Sequence, residues 1–150
     1  MNINKFNSEG YYDPTTYEAL SSIEKEERSL RAFRPIVYIC SPYAGDVETN
    51  VQKARRYCRF AVDKGYIPIA PHLLFTQFLN DDNPKERQLG IFFGNAVMSK
   101  CSEVWVFGDR ISDGMEAEIK RAKWKNYRLR YFNEDLEEVM KLHSLCIVQI

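Results

Sequence analysis

The feature that most constrains this chain is a regular alternation, from residue 36 to residue 131, of short apolar runs with segments of helical spacing. Ile36-Val37-Tyr38-Ile39-Cys40 is rich in β-branched and aromatic residues and predicts a buried strand. Val47, Val51, Ala54, Cys58, Ala61 and Val62 then recur at helical spacing, and Gly65 supplies a residue to which the left-handed C-terminal conformation is cheap. Residues 66–70 predict a second strand, placed at an edge because Pro68 has no N–H for the ladder. A helical turn is predicted at 73–78. A helix follows over about 85–100, with Leu89, Phe92, Phe93, Ala96 and Val97 on one apolar side. Glu103-Val104-Trp105-Val106-Phe107 is the clearest strand in the chain, Ser112-Asp113-Gly114-Met115-Glu116 opens a helix running to about 125, and 127–131 form a last short strand.

Loops this short between strands and helices are the sequence form of βαβ units, whose right-handed crossovers put helices on both faces of a parallel sheet. The expected fold is therefore α/β: a flavodoxin-like or Rossmann-like three-layer sandwich on a small parallel sheet of about five strands, order 2-1-3-4-5. In such a sheet the ligand crevice lies at the carboxyl ends of the strands, which gathers the loops after Cys40, Ala70 and Phe107 around one space. Residues 1–34 are expected to form an N-terminal helical arm that begins at Asp13-Pro14. Residues 35–132 form the main domain, and 133–150 a helix over 134–142 followed by an apolar tail.

A chain of 150 residues suffices for one core. Its 21 basic and 21 acidic side chains cancel, whereas duplex binding calls for a basic excess, so nucleic acid is an unlikely partner. Cys40, Cys58, Cys101 and Cys146 lack CxxC spacing and read as reduced thiols, most of them packed as small hydrophobes. With only His72 and His143 as histidines and no ligand spacing, no metal site is expected. The polar start of the chain and the lack of a long apolar run predict a cytoplasmic protein with no membrane association. The tail around Cys146-Ile147-Val148 predicts a homo-oligomer, since such a run is costly to expose.

Several residues could carry chemistry. Glu118 falls at the border of the face that Met115, Ile119 and Ala122 turn to the sheet, in the first two turns of a helix whose free N–H groups favour a carboxylate. It reads equally as a surface glutamate, and Asp113 with Glu116 has capping-box spacing. Tyr38 is either a strand packing residue or a hydroxyl that orients a carboxylate. The loop Ser41-Pro42-Tyr43-Ala44-Gly45 offers N–H groups and a hydroxyl to an anion, or is a plain turn. Ser112, Gly114 and Met115, at a helix start, are better placed for a phosphate. His72 follows a proline at a strand end, and Arg87 is a phosphate contact or a solvated residue. GxGxxG, P-loop, HExxH and GxSxG patterns are absent.

The strand Val37-Tyr38-Ile39, the strand at 104–107 and the helix opening Ser112-Asp113-Gly114-Met115-Glu116-Ala117-Glu118 together resemble the nucleoside 2-deoxyribosyltransferase superfamily. More closely, nearly all of 35–132 is similar to a group of uncharacterised bacterial and phage domains placed in that superfamily (DUF4406-like). That similarity includes Cys40-Ser41-Pro42-Tyr43-Ala44-Gly45-Asp46 and Ala70-Pro71-His72-Leu73-Leu74-Phe75. The resemblance implies N-glycosidic cleavage or base exchange with Glu118 as nucleophile, Tyr38 steadying it, and no cofactor. Ser112, where nucleoside-specific members tend to have aspartate, implies a nucleoside 5'-monophosphate, with Ser41 and Arg87 as further phosphate contacts. Asn95 stands where active relatives carry an aspartate that assists the departing base. The chain is therefore implied to be slow, to depend on His72 or another acid, or to bind nucleotides without turnover.

Overall fold

The computed structural model describes residues 5, 6, 10 and 13–140, which fall into two compact units divided after Phe33. The first unit carries helix α1 (Pro14–Leu30). Asp13 accepts from the Thr16 N–H at 3.1 Å and Pro14 takes the first helical position, where a missing N–H costs nothing. Ion pairs one turn apart, Glu24–Arg28 and Glu27–Arg31, lie along its surface.

The second unit is a five-stranded sheet in the order β2-β1-β3-β4-β5, with the α/β architecture expected from the sequence. Strand β1 (Ile36–Cys40) pairs in parallel with β2 (Ile67–Ile69) and β3 (Glu103–Phe107), and β3 pairs in parallel with β4 (Leu129–Phe132). Strand β2 lies at the edge, where the missing N–H of Pro68 is tolerated. Side chains alternate along each strand, so the sheet has two cores. Val37, Ile39, Trp105, Phe107 and Phe132 pack with Tyr57 and Ala61 of α2 (Val47–Asp63). Tyr38, Cys40, Val104 and Val106 pack on the other face with Met98 of α4 (Pro84–Met98) and with Met115, Ile119 and Ala122 of α5 (Asp113–Trp124). The short α3 (Pro71–Leu74) and a 3-10 turn (Phe75–Gln77) connect β2 to α4.

Helices α2 and α5 end in the same way. Gly65 and Asn126 adopt left-handed φ values of 88° and 60°, which lets the N–H groups of Tyr66 and Tyr127 reach back to Ala61 and Ala122 carbonyls. Each ending delivers the chain straight into the next strand. Cys40, Cys58 and Cys101 are in no disulfide, and burial pushes the thiols of Cys58 and Cys101 up to about 11.

Of the helix predicted over 134–142, the described residues 134–140 form none. Residues 133–140 turn back and add β5 (Glu138–Val139) antiparallel to β4. Asn133 fixes the turn by accepting from the Glu137 N–H at 2.9 Å and donating its own N–H to the Glu137 carbonyl, while Leu136 takes a left-handed φ of 64°. Glu138 then receives both Nε and Nη2 of Arg130 at 3.0 and 2.9 Å, a bidentate contact no helix would make. The expectations for His143, Cys146 and the apolar tail fall on 141–150, outside the described residues. Among the described residues no helix is long and apolar enough to cross a membrane, and no cluster of three or more metal-binding side chains occurs.

Candidate active site

At the carboxyl ends of β1, β2 and β3 the second unit contains a cavity of about 630 Å³, floored by Tyr38 and by the first turns of α5. Tyr38 is 1% exposed, and its hydroxyl donates to Glu118 Oε1 at 2.9 Å across 80 residues of sequence. Met115, Ile119 and Ala122 hold α5 on the sheet, and that face fixes the direction in which Glu118, partly buried, projects. Burial pushes the Glu118 carboxyl above its ordinary value, while hydrogen bonds from the Cys40 thiol and the Tyr38 hydroxyl act against the rise. Burial, then the Glu118 charge, push the Tyr38 phenol well above 10.0, so it remains a donor at any physiological pH.

Helix α4 passes close to this pair because residue 94 has no side chain. A Cβ on Gly94 would stand 3.4 Å from the Tyr38 hydroxyl and 3.8 Å from Pro71 Cβ. Asn95 and Arg87 line the cavity from the same helix, Asn95 deeper and Arg87 exposed near the first turn. On the side of β1 and β2, the buried Ser41 hydroxyl lies 3.1 Å from His72 Nε2, and the Tyr43 ring is tilted against the imidazole at 6.1 Å. Burial lowers His72 to about 4, so it is neutral at pH 7 and has no proton to give as an acid.

At the open end Ser112 caps α5, its Oγ accepting from the Met115 N–H at 3.3 Å. This corrects the capping-box expectation: Asp113 is the first helical residue, and Glu116 pairs with Lys120 at 3.5 Å. Ser112, Asp113, Gly114 and Met115 line the cavity there, with the Met115 N–H taken by Ser112 Oγ. Carboxylates on the lining, Asp81, Glu86, Asp113 and Glu118, outnumber the guanidinium groups of Arg87 and Arg121. An anion would therefore be held by local donors and not by the field of the cavity as a whole.

Of the residues singled out in the sequence, Tyr38, Ser41, Tyr43, His72, Arg87, Asn95, Ser112, Gly114, Met115 and Glu118 share this cavity. Pro42 and Gly45 do not line it, and Gly45, at φ 95°, serves the turn before α2. Two contributors went unnoticed in the sequence. Phe75 forms an apolar wall, its ring tilted against that of Phe93 at 5.4 Å, and Arg121 lines the cavity with a buried Nε that has no hydrogen-bond partner among the described residues. The sequence signal for Arg121 is its place one turn after Glu118 on the same side of the helix, although its burial is not readable there.

The fold is that of a known class of α/β protein. The 2-deoxyribosyltransferase of the psychrotolerant bacterium Bacillus psychrosaccharolyticus superposes with a TM-score of 0.53 at 16% identity, over 71% of this chain and 77% of that one. That enzyme is described as a biocatalyst for nucleoside synthesis, and the likeness establishes a shared fold. No curated protein matches the sequence. Over residues 35–132 the chain belongs to the family described as a domain of unknown function, DUF7768, and the DUF4406-like grouping gains no support from that match.

Proposed function

We propose that the protein cleaves, or exchanges, the N-glycosidic bond of a nucleoside 5'-monophosphate, with Glu118 as nucleophile. The observation that carries this reading is the hydrogen-bonded Tyr38–Glu118 pair on the floor of a cavity whose outer end is the open first turn of a helix. A Glu118 oxygen attacks the anomeric carbon, the carbon–nitrogen bond breaks, and its electron pair departs with the base. The glycosyl ester left on Glu118 is resolved by water or by a second base. A carboxylate suffices as nucleophile because the transition state is oxocarbenium-like, so most bond breaking precedes attack. On this reading the phosphate is held by the first-turn N–H groups of α5, the Ser112 hydroxyl and Arg87.

The test is incubation with ribo- and deoxyribonucleoside 5'-monophosphates, with and without an acceptor base, followed by chromatography of free base. Base release from at least one monophosphate is expected; its absence from all of them defeats the proposal. A second reading, a nucleotide-binding protein without turnover, is favoured by Asn95, which can hydrogen-bond a base but cannot move a proton to it. Binding without release would establish it.

Tyr38→Phe probes the floor of the site. The variant removes a hydrogen bond to a charged group, worth about 1.5–3 kcal/mol, so turnover is expected to fall roughly 10- to 100-fold. That bond also holds the Glu118 carboxyl down, so the acidic limb of the pH–rate profile is expected to move to higher pH. Unchanged limb and rate would remove Tyr38 from the mechanism.

A further inference from the structure

The reaction proposed above leaves a charge unaccounted for, and the cavity holds one group suited to it. When the glycosidic bond breaks, the base takes the electron pair and departs as an anion unless a proton meets it. Asn95 has no proton to transfer. His72 is already neutral and within hydrogen-bond distance of Ser41. The Tyr38 phenol is committed to Glu118. Asp113 and Glu86 stand at the end assigned to phosphate, on the first turns of α5 and α4, and Asp81 is exposed. No group on the lining is thus set up as an acid for the leaving base.

Arg121 is the remaining cation besides Arg87, and the two differ in setting. Arg87 is exposed on the first turn of α4, at the end assigned to phosphate. Arg121 lies one turn beyond Glu118 on α5, away from that end, and is partly buried. Its Nε is the one buried side-chain polar atom among the described residues that lacks a hydrogen-bond partner. A buried donor left unpaired is costly, and an acceptor arriving with the ligand would remove that cost. Helical side chains lean towards the N-terminus, so a long side chain at 121 is carried back over the level of Glu118.

The geometry points to Arg121 as a catalytic residue that receives the departing heteroaromatic base as an anion, in place of the general acid that Asn95 cannot be. The guanidinium donates to the ring nitrogen or carbonyl oxygen on which the electron pair settles; no proton moves in the bond-breaking step, and the base is protonated afterwards from water. The inference rests on the glycosidase reading, and it makes a demand which that reading alone does not.

The test compares leaving bases that differ in the charge they carry away. A 7-methylguanine base is cationic while attached and leaves neutral, so it needs no anion stabilisation, whereas guanine does. Arg121→Met is expected to lower kcat/KM for guanosine 5'-monophosphate roughly 10²- to 10³-fold, the usual loss on removing a preorganised donor at a developing anion. For 7-methylguanosine 5'-monophosphate the same variant is expected to stay within about threefold of wild type on that logic. If pyrimidine nucleotides are the substrates, thymidine monophosphate should lose more than its 5-fluorouracil counterpart, whose base is the more acidic. Arg121→Lys should recover part of the loss. The methylated substrate also reports folding, since a variant that had lost its structure would fail on both. Equal loss on the paired substrates, or no loss, with an active wild type overturns the inference alone. A wild type silent on every nucleotide overturns the underlying reading as well.

Discussion

Glu118→Gln is expected to abolish base release while making the fold more stable at neutral pH. The amide keeps the oxygen that accepts from Tyr38 at 2.9 Å, so the local geometry survives, but it cannot form a glycosyl ester. Removal of a group that acts as nucleophile in a two-step mechanism costs on the order of 10⁴-fold or more in turnover. The gain in stability follows from the direction of its titration. Burial raises the Glu118 pKa in the folded state above the ordinary 4.5, so the folded protein binds the proton more tightly than the unfolded chain does. The favourable contribution of that proton is complete below 4.5 and is lost as pH rises through the folded value. At pH 7 the charged carboxylate is therefore held at a cost. Melting curves at pH 7 and pH 4 check this: Glu118→Gln should melt higher than wild type at pH 7, with the difference closing at pH 4. A variant that retains turnover removes Glu118 from the chemistry. A variant less stable at pH 7 shows that the carboxylate is a structural asset and not a strained functional group.

This trade between stability and reactivity marks where the sequence could and could not be read. Strands β1 and β3 were legible because both faces of a central parallel strand are buried, which leaves a continuous apolar run that few other arrangements produce. The edge position of β2 was legible through a single residue, Pro68. The end of the domain was not. Glu134, Glu137 and Met140 have spacing compatible with a helix, and nothing local opposes it. What decides the matter is pairing with β4 and the bidentate Arg130–Glu138 contact, both of which depend on neighbours outside the segment. The left-handed φ at Leu136, a residue that rarely adopts it, shows the same tertiary override.

The site divides along the same line. Periodicity placed Glu118 at the border of a buried face, and resemblance pointed to Tyr38, but their contact spans 80 residues and no spacing rule reports it. The cap of α5 was misread because Ser112 and Asp113 are both good N-cap residues and the choice depends on how the chain leaves β3. Arg121 was overlooked because an arginine in the polar sequence of α5 reads as solvated; only packing shows its Nε to be out of reach of water.

The largest expected loss of stability lies on the opposite face of the sheet. Trp105 is 1% exposed and stands at the centre of an aromatic cluster, with ring centroids at 4.6 Å to Tyr66, 5.0 Å to Phe132 and 6.0 Å to Phe60. Arg130 lies over its face at 5.0 Å, and its Nε1 donates to Glu103 Oε2 at 2.7 Å. Trp105→Ala empties that volume, and large-to-small changes of this kind cost about 3–5 kcal/mol. It also takes one donor from Glu103, itself only 7% exposed, which then depends on Arg128 at 3.3 Å and Arg130 at 3.4 Å. Native domains have about 5–15 kcal/mol in total, so the variant is expected to be marginal at 37 °C, with its urea midpoint sharply lowered. Trp105→Phe should recover most of the packing but not the Glu103 contact, separating the two contributions. The measurement is direct because the only other tryptophan, Trp124, is 75% exposed, so the blue-shifted emission of the folded protein comes from Trp105. A Trp105→Ala variant with an unchanged midpoint by circular dichroism would mean that the core on the α2 face closes over the gap. In that case the β1–β3 pairing that carries Tyr38 to the cavity floor would owe little to the aromatic cluster behind it.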